Sequence, residues 1–267
     1  MPTQIIAEVT SNHGGDMGLA REFVRRAADA GADYVKFQSW RAATVRDGDS
    51  DPQYAWFVQS ELSDAGHREL IDECARNGIR FLTTCFDIGR VEFLASLGLD
   101  TIKVGSPDLT SRRMLEALRA RFRHVIVSTG VGTDGEVAQA AAWLRSGDFT
   151  FLHCVSLYPM PPAQAHLRRM DWLRQFTPSV GWSDHAEGID VSKMAIAAGA
   201  SFIEKHFCLG RNGPGRAMAW DATPDDIAAL VSYARQVEDA MGDASAPASP
   251  ELVSAKTRFT GRWGNNA

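Results

Sequence analysis

A (β/α)8 barrel is the fold class this sequence predicts, and three observations point to it. Eight short, β-branched apolar runs alternate with helix-periodic segments. The runs are apolar throughout, as strands covered on both faces are, which argues for a parallel sheet under helices. Eight units close such a sheet on itself, and 267 residues is close to the roughly 200–250 that these barrels commonly span as one unit. The competing fold, an open doubly wound sheet, usually has fewer units and a G-x-G-x-x-G turn after its first strand. The turn here reads TSNHGGD.

The expected strands are Ile5–Val9, Tyr34–Phe37, Phe81–Thr84, Thr101–Val104, Val125–Ser128, Phe149–Cys154, Ser179–Gly181 and Phe202–Glu204. Helices are expected near 17–30, 63–77, 88–97, 111–120, 133–146, 166–176, 190–198 and 224–241. Several open on a side chain that can cap a helix, among them Ser63, Asp87, Ser111 and Thr223, and glycine closes others at Gly31, Gly78, Gly98 and Gly199. The barrel then occupies 1–241. Residues 242–267 form a tail with a linker-like start and an end rich in arginine and glycine, not a separate domain. The two longest breaks, 39–62 and 207–222, follow strands two and eight at their C-terminal ends, the face on which such barrels build sites.

The net charge of −5 comes with arginines spread along the chain, so no basic stripe supports nucleic-acid binding. An anionic substrate would have to be met by local positive charge. Cys74, Cys85, Cys154 and Cys208 lie far apart without a C-x-x-C pair and read as reduced thiols. The first residues lack a signal peptide's basic start and long apolar stretch. Nor does the chain contain the run of about eighteen apolar residues that a membrane span needs. A soluble cytoplasmic protein is expected.

In a barrel the residues that close the strands converge on one pocket. That set includes Glu8, Asn12 and His13 from strand one, Lys36 and Gln38 from strand two, and Thr84 and Asp87 from strand three. Strands four and five add Lys103, Ser106, Asp108, Ser128 and Thr129; strand six adds His153, Ser156 and Tyr158. Ser183, Asp184 and His185 close strand seven, and Glu204, Lys205 and His206 close strand eight. Lys36 and Lys103 stand inside otherwise apolar strands, YVKFQ and TIKVG. Either could serve a buried ion pair with Glu8 or Asp108. Together with the hydroxyls of Thr84, Ser106, Ser128 and Ser183 they make a fixed cation set for phosphate or carboxylate. His185 and His206 end adjacent strands, where neighbours lie roughly 5 Å apart. Two imidazoles completed by water and substrate oxygens suit a labile divalent metal such as Mn2+ better than a closed structural zinc. Cys154 and Cys208 lack a partner arrangement for nucleophilic work and read as packing residues.

The segments IIAEVTSNHGGDMGLAREFVRRAADAGADYVKFQ, FLTTCFD, IKVGSPDLT, VIVSTGVGT, LHCVSLYP, GWSDHAEGID and IEKHF with RNGPG follow one another in this order. They resemble the sialic acid synthase family, over about residues 4–241. Those enzymes condense phosphoenolpyruvate with an N-acetylated aldose to give 2-keto-3-deoxy sugar acids and release phosphate. The resemblance implies that Lys36, Thr84, Lys103, Ser106, Ser128 and Ser183 hold the phosphate and carboxylate of phosphoenolpyruvate. By the same likeness His185 and His206 carry the divalent metal, Mn2+ with Mg2+ or Co2+ as substitutes, and Glu8 faces the acceptor. Gln38 and Tyr158 belong to the same strand-end set, on the substrate side.

The sequence also departs from the family. Pro107 and Asp108 stand where Gly-Glu is common, offering a shorter catalytic carboxylate. Arg216 and Ala217 replace Pro-Asp after the R-N-x-P-G segment, removing an acid from the acceptor side and adding a cation. Family members normally continue into a small antifreeze-like domain that brings an arginine to a partner's site, and these residues contain no such segment. An acceptor other than N-acetylmannosamine is therefore expected, an aldehyde or sugar met by Arg216 or by the tail residues Arg258 and Arg262. A homodimer, or a separately encoded partner domain, is the partner to look for. Two other readings compete: a non-catalytic sugar-acid or phosphoenolpyruvate-binding homologue, and a Schiff-base aldolase using Lys36, Lys103 or Lys205.

Overall fold

The computed structural model describes residues 3–46, 48–243 and 245–259; the expectation for Arg262 lies outside them. Eight parallel strands are present among these residues: β1 (Gln4–Thr10), β2 (Tyr34–Ser39), β3 (Arg80–Cys85), β4 (Thr101–Val104), β5 (His124–Ser128), β6 (Asp148–Cys154), β7 (Val180–Asp184) and β8 (Phe202–His206). They pair in chain order, and β8 closes on β1 through the register Gln4 to Phe202, Ile6 to Glu204 and Glu8 to His206. The sheet is a closed (β/α)8 barrel.

The helices are α1 (Met17–Asp29), α2 (Ala42–Val45), α3 (Tyr54–Ser60), α4 (Asp64–Arg76), α5 (Val91–Ala95), α6 (Arg112–Arg121), α7 (Asp134–Leu144), α8 (Arg169–Leu173), α9 (Asp190–Ala197), α10 (Pro224–Met241) and α11 (Pro250–Phe259). Their starts follow the side chains that can satisfy free N–H groups. Ser63 accepts from Gly66 at the start of α4, and Thr223 with Asp226 forms a reciprocal capping box at α10. Ser111 does not cap α6; its hydroxyl instead donates to Asp108 Oδ1 at 2.9 Å.

The observed elements differ from expectation at several places. The expected helix over 88–97 is a 3-10 turn at Ile88–Arg90 followed by the short α5, and that over 166–176 contracts to α8. The break at 39–62 holds α2 and α3. Those seven or fewer residues carry too little periodicity to stand out, and α3 is held by tertiary contacts: Trp40 lies 5.1 Å from Phe57, and Trp56 Nε1 donates to Ser11 Oγ at 3.0 Å. Strands β7 and β8 also run on past Gly181 and Glu204, to Asp184 and His206.

Two apolar layers position the site. The large core lies between sheet and helices and takes one face of each strand, with Ile5, Ala7, Val35, Phe37, Val125, Val127, Trp182 and Ile203 all buried. A separate cluster of Ile6, Tyr34, Leu82, Ile126, Leu152 and Phe202 plugs the barrel interior. Side chains two residues apart share a strand face. The level above the plug is therefore Glu8, Lys36, Thr84, Ser128, Cys154 and Glu204, with Lys103 paired opposite Thr84. At β7 the interior position below Ser183 is Gly181, where a Cβ would stand 2.4 Å from the Phe202 carbonyl oxygen; only glycine allows that approach. Among the described residues no helix is long and apolar enough to cross a membrane, and all four cysteines are free and buried.

Candidate active site

The polar level opens into a pocket of about 260 Å3 at the C-terminal face of the barrel. At its floor, Lys36 Nζ lies 3.0 Å from Glu8 Oε2, 2.9 Å from Glu204 Oε2 and 2.9 Å from Thr84 Oγ1. Lys103 Nζ donates to Ser128 Oγ at 2.7 Å and to the Val104 carbonyl at 3.0 Å, and stands 3.7 Å from Glu204 Oε2. Ser183 Oγ donates to Glu204 Oε1 at 2.8 Å, and Gln38 Nε2 donates to Glu8 Oε1 at 2.8 Å. Seven of the strands, all but β6, thus contribute to one connected array whose centre is Glu204.

Burial and charge act against each other in this array. Burial alone would raise the Glu204 carboxyl, but Lys103 and Lys36 outweigh it and hold the group ionised, below the usual carboxylate range. The reverse holds at Glu8: burial pushes its carboxyl up to about 7, reinforced by Glu204 and only partly offset by Lys36. Burial would lower Lys36, yet Glu204 and Glu8 together raise it. Lys103, farther from Glu204, is pulled down to about 8 by burial. With Glu8 protonated the floor holds two ammonium groups against one carboxylate. That net positive charge, with convergent hydroxyls, suits an anion.

His185 and His206 stand beside the array with ring centroids 5.2 Å apart. His185 Nδ1 lies 2.9 Å from the Val155 carbonyl, so this nitrogen carries the proton and Nε2 keeps its lone pair. Burial lowers His185; His206 falls well below the usual histidine range through burial and then through His185. Both rings are neutral and able to ligate. No group of three or more His, Cys, Asp or Glu that could hold a metal occurs among the described residues. Two imidazoles alone do not make a closed structural metal site, which takes four protein ligands. Tyr158 covers the pair, its ring centroid 4.0 Å from that of His185 and 5.9 Å from that of His206.

Ser106 also lines the pocket, its Oγ accepting from Gly130 N at 2.9 Å. Two expected site residues do not line it. Asp108 is turned back on Ser111, and Arg216 is an exposed side chain whose guanidinium lies 5.5 Å from the Trp56 ring centroid on the outer rim. Lys205 is a correction to the converging set: it points to the outer face of β8, 3.3 Å from Asp184 Oδ2, with both side chains fully buried. His153 also points outward, bonded to the Ala165 carbonyl at 2.8 Å, and Asp87 caps the turn at Ile88–Arg90. Sequence reasoning placed Glu204 in the converging set without giving it a role and read Cys154 as a packing residue. The two-residue alternation along FIEKH and FLHC was the signal that places both inside.

Comparison with known proteins identifies the relatives of this chain. The NeuB family model matches residues 23–246. N,N'-diacetyllegionaminic acid synthase of Campylobacter jejuni is 36% identical over 266 residues, covering 92% of this chain and 80% of that protein. Human N-acetylneuraminate-9-phosphate synthase is 32% identical, covering 90% of this chain and 72% of its own length. The structure of N-acetylneuraminic acid (sialic acid) synthetase from Leptospira borgpetersenii, in complex with citrate, superposes with a TM-score of 0.89 at 29% identity, over 97% of this chain and 93% of that one. With the family model spanning most of the barrel and these relatives aligned along nearly all of it, the chain belongs to the NeuB family.

Proposed function

We propose that this protein is a transferase that condenses phosphoenolpyruvate with an aldehyde or aldose acceptor to give a 2-keto-3-deoxy sugar acid and phosphate. The observation that carries the reading is the buried Lys36, Lys103 and Glu204 array beside two neutral imidazoles. Lys36 and Lys103, with the hydroxyls of Thr84, Ser106, Ser128 and Ser183, meet the phosphate and carboxylate of phosphoenolpyruvate and hold its C3 toward the acceptor. C3 forms the new bond to the aldehyde carbon. Positive charge then develops at C2, where the ionised Glu204 stabilises it until water adds. The C–O bond to phosphate breaks, and the lysines neutralise the departing charge.

Glu8, poised near neutrality, is suited to hold or release the proton exchanged with the acceptor oxygen and the added water. A divalent metal on His185 and His206, Mn2+ in first place, would supply Lewis-acid polarisation of the acceptor carbonyl. The acceptor is not the standard N-acetylmannosamine in this reading, because Ala217 replaces an acid and the exposed Arg216 adds a cation at the rim. The decisive assay is phosphate release from phosphoenolpyruvate with Mn2+ and a panel of neutral and anionic aldoses. Release that depends on both the metal and one acceptor supports the reading, and no release with any acceptor overturns it.

One observation favours a second reading. Lys103, lowered to about 8 by burial, has the reactivity that a Schiff-base lysine needs. Borohydride with pyruvate would then leave an adduct on Lys103, and an unmodified protein removes the aldolase reading.

A further inference from the structure

The connection from β8 to α10 brings one more acid against the site. Asp221 is 1% exposed. Its backbone is pinned beside His206: Ala222 N donates to the His206 carbonyl at 2.7 Å, and Phe207 and Ala222 form a parallel bridge. Its Oδ2 accepts from Asn12 Nδ2 at 3.1 Å and from Met218 N at 2.9 Å. Its Oδ1 is buried without a hydrogen-bond partner and stands 3.8 Å from His206 Nδ1. Leaving an acceptor desolvated and unpaired is costly. The Nδ1–H of His206 is the donor that a modest rotation of the ring brings within range.

We propose that Asp221 is a positioning residue for His206: its Oδ1 takes the Nδ1–H, fixes the Nδ1-protonated tautomer and leaves the Nε2 lone pair for the pocket. The two histidines are then held alike. Val155 O fixes Nδ1 of His185 at 2.9 Å and Asp221 fixes Nδ1 of His206, so both present Nε2. An acceptor behind a ligating imidazole orients the ring and raises its basicity. The consequence for metal affinity rests on reading the two histidines as ligands; the tautomer does not.

The substitution Asp221→Asn separates this role from simple packing. Asn12 and Met218 both donate to the Oδ2 position, so the new amide must place its oxygen there and its NH2 toward His206. That donor forces the ring to the Nε2–H tautomer and occupies its lone pair. Long-range 1H–15N spectra of the metal-free protein should show Nδ1–H at His206 in the wild type and Nε2–H in Asp221→Asn, at unchanged far-UV circular dichroism. Calorimetric titration with Mn2+ should show affinity weakened by about 10- to 100-fold in the variant. A wild-type His206 already protonated on Nε2, or an Asp221→Asn spectrum without a switch, overturns the proposal; a switch with unchanged Mn2+ affinity removes His206 from the ligand pair and upholds the orienting role of Asp221. If the tautomer switches and wild type fails to bind Mn2+, the metal reading falls and the orienting role of Asp221 stands.

Discussion

Lys36 Nζ lies 2.9 Å from Glu204 Oε2, although β2 and β8 are not neighbours and each pairs with β1 instead. The contact reaches across the interior over the top of β1, and both side chains are nearly inaccessible, at 4% and 6%. It therefore ties together the two sides of the barrel seam at the level where the pocket begins.

Replacing Glu204 by Leu leaves Lys36 with Thr84 and a single carboxylate, Glu8, and removes the carboxylate beside Lys103. Breaking a buried pair by deleting one partner costs about 3–5 kcal/mol, because the remaining charge is desolvated without compensation. We expect urea denaturation to show a loss of that size. The double variant Lys36→Met with Glu204→Leu removes a charge of each sign and should recover a substantial part of it. A double variant whose loss equals the sum of the Glu204→Leu and Lys36→Met losses would show that the pair carries no coupling.

Glu8 gives a pH dependence with a definite sign. Its carboxyl is raised from the ordinary value near 4.5 to about 7, mainly by burial. Folding favours the neutral form, so its contribution is fully present below about 4.5 and is lost as pH rises through about 7. Glu8→Gln keeps the hydrogen bond from Gln38 and cannot titrate. The melting temperature of wild type minus that of Glu8→Gln should fall steadily over that window, and a flat difference would show that Glu8 is ionised throughout.

The barrel was legible in the sequence because its determinants are local: eight apolar runs, capping side chains and closing glycines repeat at regular intervals. The polar floor was legible in part for the same reason, since Lys36 and Lys103 contrast with their apolar neighbours. What was not legible depends on strand ends and pleat. Ending β8 at Glu204 left Glu204, Lys205 and His206 as one undivided set, where the strand's alternation in fact separates Lys205, turned outward to Asp184, from its two neighbours. Asp108 and Arg216 show the other difficulty. Position after a strand end does not fix side-chain direction: a hydroxyl one turn later captured Asp108, and an aromatic face drew Arg216 to the rim.

The two histidines make a prediction that needs no turnover. His185 and His206 are neutral, and their rings are 5.2 Å apart. Removing either ligand from a two-imidazole site should weaken Mn2+ binding by more than the roughly tenfold that loss of an outer-shell partner alone produces. Titration calorimetry on His185→Ala and His206→Ala reads this directly. Unchanged affinity in one variant would return that histidine to a packing role under Tyr158.

Lys205 and Asp184 test the boundary between structure and site. The pair stands 3.3 Å apart with both side chains at 0% exposure on the outer face of the sheet, where Asp184 also accepts from Ala186 N and from Ser192 Oγ at the start of α9. Lys205→Met leaves that carboxylate with two neutral donors and no counter-charge. A stability loss of about 3 kcal/mol is expected. Affinity for phosphoenolpyruvate should stay within about twofold of wild type, since a change of much less than 1.4 kcal/mol is all that an outer-face residue transmits to a site it does not touch. Lys36→Met should do the opposite and remove most of the binding, because its ammonium stands on the pocket floor. A Lys205→Met protein that is stable yet blind to phosphoenolpyruvate would mean that β8 turns its lysine, not its glutamate, toward the substrate.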